Sequence, residues 1–180
     1  MSRDAATPDV GFRITGLHHF AWRCKDAEET RRFYEDLLGL PLVHVIRNER
    51  VPSTNELNPH LHIFFQMADR SYLAFFDLGD DTSAEPSPNT PSWVNHIAVQ
   101  VADRDELMLA RERLMSAGYE VVGVTDHHII ESIYVFDPNG LRVEITTKTA
   151  EDREFERAAR DAHGALRSWM EEKGKSRAQG

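Results

Sequence analysis

His19-Phe20-Ala21-Trp22-Arg23-Cys24-Lys25-Asp26 is answered 77 residues later by His96-Ile97-Ala98-Val99-Gln100-Val101-Ala102-Asp103. Each run is strand-like, opens on a histidine and ends on an aspartate able to cap a helix. Behind each comes an acidic, amphipathic pattern that closes at a glycine, Gly39 or Gly118. Internal repetition of this kind decides architecture before any single element does. Working outward, the first copy reads as strand 14–24, helix 27–38, strand 40–47, a loop, and strands 61–67 and 71–78. The second reads as strand 94–101, helix 104–117, and strands 119–124, 131–136 and 141–147. Asp26 with Glu29, and Asp103 with Glu106, have capping-box spacing. Asp137-Pro138-Asn139-Gly140 is a turn joining the last two strands. The fold class is therefore α+β: two paired βαβββ modules, 13–78 and 93–148, forming a curved mixed-sheet cup. Residues 1–12 are expected to be a disordered leader. The stretch 79–92, with three of the eight prolines, is expected to be a linker. A C-terminal helix over 149–174 carries Phe155, Ala158, Ala162, Leu166, Trp169 and Met170 at helical spacing. Packing on the chain's own body is the expectation for that stripe, and a subunit contact is the alternative.

Composition narrows the function. A net charge of −9 argues against nucleic acid, because a polyanion needs a basic face. No run approaches the ~20 consecutive apolar residues of a membrane span, and the N-terminus lacks the apolar core of a signal peptide. A single cysteine, Cys24, forms no internal disulfide, which points to a reducing cytoplasm. Cys24 lies among apolar strand positions and reads as buried filler.

Strand alternation sorts the side chains by face. Phe20, Trp22 and Cys24 oppose His19, Ala21 and Arg23. In the second copy Ile97, Val99 and Val101 oppose His96, Ala98 and Gln100. Apolar faces must meet the helices, so the histidine faces look into the concavity. The same reasoning directs Arg142, Glu144 and Thr146, together with Ser132, Tyr134 and Phe136, into it. His19, His96, Glu144 and Tyr134 are thus expected in one cup. Two imidazoles and a carboxylate on one inward face call for a cation, since a buried carboxylate needs a partner charge.

These residues resemble the vicinal oxygen chelate superfamily of glyoxalases, extradiol dioxygenases, epimerases and fosfomycin-resistance transferases. The resemblance covers residues 14–148. It rests on His19-Phe20-Ala21, on Arg32-Phe33-Tyr34-Glu35-Asp36-Leu37-Leu38-Gly39-Leu40, on Asn95-His96-Ile97-Ala98, and on Ser132 through Asn139-Gly140 to Glu144. It implies paired modules around a divalent metal with His19, His96 and Glu144 as ligands, and it allows a homodimer. Superposing the repeats sets Ala74 against Glu144, where glyoxalase-like members place a fourth ligand. A two-histidine, one-carboxylate set with open positions suits Fe(II), with Mn(II) or Zn(II) as alternatives. Tyr134, ten residues before Glu144, matches a tyrosine of the ring-cleaving extradiol dioxygenases and would donate to a substrate oxygen. The leading expectation is therefore a dioxygenase acting on a vicinal-diol aromatic. The alternatives are a non-oxidative isomerase, lyase or thiol transferase, and a small-ligand-binding resistance protein. The base histidines of ring-cleaving members map to Ser71 and Thr125, leaving His127 and His62 as candidate proton acceptors.

Overall fold

The computed structural model describes residues 10–178, with side chains through residue 175. The first module runs β1 (His19–Cys24), α1 (Ala27–Arg31), β2 (Leu42–Arg50), β3 (Leu57–Gln66) and β4 (Tyr72–Asp77). The second runs β5 (Ile97–Gln100), α2 (Arg104–Ser116), β6 (Val122–Asp126), β7 (Ile130–Phe136) and β8 (Arg142–Lys148), and α3 (Asp152–Ala178) follows. Each module builds one four-stranded mixed sheet, ordered β1-β4-β3-β2 and β5-β8-β7-β6. In both, the first strand is parallel to the last and the other pairs are antiparallel. The repeat is thus a repeat of topology. Of the expected leader, residues 1–9 lie outside the described residues. Residues 14–18 precede the first strand instead of belonging to it.

Local chemistry explains the helices. Asp26 accepts from the Glu29 amide, and Asp103 from the Glu106 amide at 2.9 Å. The return bonds differ from a closed box: Glu106 accepts from the Ala102 amide, one residue ahead of the cap, while Glu29 turns to Lys25. The first helix widens into a π-helical segment over Arg32–Leu37, where the Leu38 amide donates to the Phe33 carbonyl at 3.0 Å. Consecutive residues Phe33 and Tyr34 are both buried there. Gly39, at φ +76, then turns the chain toward β2.

One core serves both sheets. Ile63, Phe65, Leu73 and Phe75 from the first join Ile133, Val135, Val143 and Ile145 from the second, with Phe33, Tyr34, Leu107 and Leu114 from the helices. Phe20, Trp22 and Cys24 lie on this side, as alternation required. Cys24 is buried and its thiol pKa is pushed up to about 12, mainly by burial, so it stays protonated and inert. The histidine-bearing face of each sheet is turned away from that core.

A turn clasps the modules together. Buried Asp137, in the β7–β8 turn, accepts from the Tyr34 hydroxyl at 3.0 Å. Its carboxylate also takes the Asn139 and Leu141 amides and the Asn139 side chain. Asn139 in turn donates to Thr30 and accepts from the Lys25 amide. On α2, Arg113 donates to the carbonyls of Asp36 and Leu37.

The C-terminal helix corrects one expectation. Phe155 at its start meets Lys148, but Leu166, Trp169 and Met170 are each more than half exposed, so that part of the stripe does not pack on the chain's own body. The core side of both sheets is already packed with Phe33 and Tyr34 from the first helical segment and Leu107 and Leu114 from α2.

Candidate active site

Three elements bring the second module's polar side chains together. Cross-strand register sets Tyr134 opposite Glu144, and Ala98 opposite Glu144 on the other side. His96 enters just ahead of β5. Its Nε2 lies 3.0 Å from Glu144 Oε2, and its Nδ1 lies 3.0 Å from the Val94 carbonyl. The other carboxylate oxygen of Glu144 accepts from the Ser132 hydroxyl at 2.5 Å. Glu144 is 5% exposed. Beside it, His127 Nε2 sits 2.7 Å from the Tyr134 hydroxyl. Burial, then the Glu144 charge, raises the Tyr134 pKa, which keeps the hydroxyl protonated. Trp93, Thr125 and Arg142 join these groups around an open cavity of about 530 Å³.

Gly123 shapes the rim. At φ +109 it occupies a register break in β6, and a Cβ there would stand 2.7 Å from the Ser132 carbonyl oxygen. Only glycine fits so close an approach. The break carries β6 on through Thr125 and Asp126, past the predicted end of that strand, toward His127.

His19 sits elsewhere. It belongs to the first sheet, 2.8 Å from His18 between Nδ1 atoms and beside the rings of His62 and Phe64. Among the described residues no three His, Cys, Asp or Glu side chains are placed to hold one metal ion, so one chain does not bring His19 to the His96–Glu144 pair. Register carries the repeat to the residue: Ala21 and Phe64 flank Ala74 as Ala98 and Tyr134 flank Glu144. Ala74 therefore stands at the position of the acid and cannot coordinate. Ser71 is held by Asp69, which accepts from both its amide and its hydroxyl.

His62 is also on the first sheet. Its ring stacks on Phe76 at 3.7 Å between centroids, and its Nε2 is buried without a hydrogen-bond partner. Burial first, then His19, His60 and His44, lowers its pKa to about 4. The unfolded chain takes up this proton near pH 6.5 and the folded chain does not until about 4. The stability His62 contributes is therefore lost as pH falls through that window. His62→Gln should flatten the decline in Tm between those limits; a slope unchanged from wild type would remove His62 as its source.

A family profile described as "Glyoxalase/Bleomycin resistance protein/Dioxygenase superfamily" matches residues 16–145. The chain belongs to this superfamily. A lactoylglutathione lyase of Neisseria meningitidis is 28% identical over 149 residues, covering 76% of this chain and 93% of that protein. The fosfomycin resistance protein FosX of Listeria monocytogenes, crystallised with Mn(II) and sulfate, is 23% identical with a TM-score of 0.57. That match covers 78% of this chain and 98% of FosX. An antibiotic-binding protein of Streptomyces, TnmS3, is 16% identical with a TM-score of 0.53, over 77% of this chain and 99% of that one. The two structural likenesses concern the fold.

The donor set fits the divalent ion that the superfamily implies. A carbonyl oxygen only accepts, so the contact with Val94 requires the proton on Nδ1 of His96, and the neutral ring that a metal needs then has its lone pair on Nε2. That lone pair faces a carboxylate oxygen at 3.0 Å. A proton on Nε2 closes this contact as an ion pair, and a shared divalent ion would take that proton's place. His96 and Glu144 would hold such an ion, which would supply Lewis acidity. Alternation puts Ser132 and Glu144 on one face, which is the sequence signal for their hydrogen bond, whereas Trp93, outside any strand, has no such signal as a wall of the cavity. No helix among the described residues is long and apolar enough to cross a membrane.

Proposed function

We propose that this protein is a metal-dependent superfamily enzyme that isomerises, cleaves or adds a nucleophile to a small oxygen-bearing substrate without consuming dioxygen. The observation that carries the reading is the His96–Glu144 pair, with Val94 and Ser132 committing the remaining nitrogen and oxygen. His96 and Glu144 would hold the ion. His19 would supply the third ligand from a second copy, because β1 and β5 are both bare edge strands available for pairing. A divalent ion there supplies Lewis acidity to substrate oxygens. Tyr134 donates toward a substrate oxygen, and His127 Nε2 exchanges the proton of the Tyr134 hydroxyl. The 28% identity to a lyase over nearly its whole length supports non-oxidative chemistry. Mn(II), the ion of the Listeria structure, is the first to try, ahead of Zn(II) and Fe(II).

Ring cleavage of a catechol with Fe(II), the leading expectation from sequence, becomes the second reading. The Tyr134–His127 pair favours it, while Ser71, tied to Asp69 at a base-histidine position, counts against it. Metal-loaded protein offered lactoylglutathione, fosfomycin with thiols or water, and catechols, with and without oxygen, separates the two. Anaerobic turnover supports the proposal; turnover confined to catechols with matching oxygen uptake replaces it.

Sharing of the site is tested by mixing. His19→Ala and Glu144→Ala should each be inactive alone. Unfolded and refolded together, they should regain about a quarter of wild-type activity, since half the dimers are mixed and each carries one complete site. No recovery would mean that both residues serve a site within one chain.

A further inference from the structure

We infer that the substrate is an anion with an apolar body, a small carboxylate or phosphonate, and that Arg142 selects it. The inference rests on the reading of this cavity as the metal-dependent site. Arg142 lies two residues before Glu144 on β8, on the same face. Its guanidinium carbon stands 4.2 Å from the centre of the Tyr134 ring, which holds the plane of the fork. Several other arginines of the body are occupied, Arg31 by Glu28 and Asp36, Arg104 by Glu131, and Arg113 by carbonyls. Among the described residues no carboxylate lies within 4.0 Å of Arg142, and its donors meet no side-chain acceptor.

The donors border open space. A cavity of about 320 Å³, lined by Trp93, Glu120, Val122, Tyr134, Phe136 and Arg142, shares four of these residues with the cavity that holds His96 and Glu144. Trp93 and Phe136 are large and exposed, giving an apolar wall beside a free cation. Glu120 borders the same space but forms no ion pair with Arg142. A divalent ion and Arg142, set against Glu144 and Glu120, leave the cavity net positive. A neutral ligand would leave that charge unbalanced, whereas an anion balances it. A guanidinium fork pairs two donors with two oxygens of one carboxylate or phosphonate, a geometry lysine does not reproduce.

Calorimetric titration of the full chain with benzoate, benzamide and phenylphosphonate, with and without Mn(II), tests this. The anions should bind at least about tenfold tighter than benzamide. Arg142→Gln should abolish the preference, and Arg142→Lys should keep only part of it; if the glutamine variant does not fold, the lysine variant carries the comparison. Equal binding of benzoate and benzamide by wild type, or a preference untouched by these variants, overturns the inference. Mn(II) binding without anion preference defeats this inference and leaves the metal reading standing. Arg142-dependent anion preference in a protein that binds no Mn(II) does the reverse.

Discussion

Asp137→Ala should lower the unfolding free energy by about 3–5 kcal/mol. Four donors converge on the buried Asp137 carboxylate: the Tyr34 hydroxyl, two backbone amides and the Asn139 side chain. Alanine leaves the Tyr34 hydroxyl and the Leu141 amide buried without partners, which costs more than the bonds were worth net. For a chain of 180 residues that corresponds to a fall in Tm of roughly 10 °C. Asp137→Asn should cost less, because one oxygen still accepts both amides. Burial raises the Asp137 pKa in spite of these donors. The folded state therefore keeps a proton that the unfolded state has released, and wild-type stability declines as pH rises from the usual carboxylate range to the Asp137 pKa. The asparagine variant should lack that decline. Thermal melts of the three proteins across pH check both points, and a loss under 1 kcal/mol for Asp137→Ala would show that the clasp does not hold the modules.

Glu144→Gln should reduce divalent-metal affinity by at least about a hundredfold and bring turnover to background. Loss of a residue that merely supports a ligand costs 10- to 100-fold as a rule, and Glu144 is here the carboxylate ligand itself. The shape is preserved, so Ser132 keeps its contact and the fold is unaffected. In metal-free buffer the variant should melt no lower than wild type, and higher if the 5%-exposed charge is uncompensated. Metal titration followed by electron paramagnetic resonance of Mn(II), alongside melts, separates the two effects. Unchanged Mn(II) affinity would remove the ion from this cavity. A large loss of stability in metal-free protein would make the His96–Glu144 pair structural.

The order and register of the elements were legible in the sequence because they follow from short-range rules. Alternation puts Cys24 on the core side and His96, Tyr134 and Glu144 on the other; Cys24 is in the core, Tyr134 pairs with Glu144, and His96 lies 3.0 Å from that carboxylate. Superposing the repeats set Ala74 at the place of Glu144, as the strand pairing does. What alternation cannot give is how the two sheets face each other. It assigns each side chain to a side of its own sheet, and it is silent on whether two such sides converge. His19 and His62 were therefore grouped with His96 and Glu144, although the shared core turns the two histidine faces away from itself. The exposure of Leu166, Trp169 and Met170 was hidden for a related reason: periodicity identifies an apolar stripe but not whether a surface remains for it. The π-helical widening at Arg32–Leu37 leaves no periodic trace over so few residues.

Ala74 has a consequence for symmetry. Duplication alone would give this chain two like faces, each with a histidine and an acid. With alanine in one half, the first sheet offers imidazole and aromatic rings from His19, His62 and Phe64, and the second offers His96, Tyr134 and a carboxylate. If two copies share the site as proposed, one gene product would carry both a lock and a key, and identical copies would meet as unlike partners twice over.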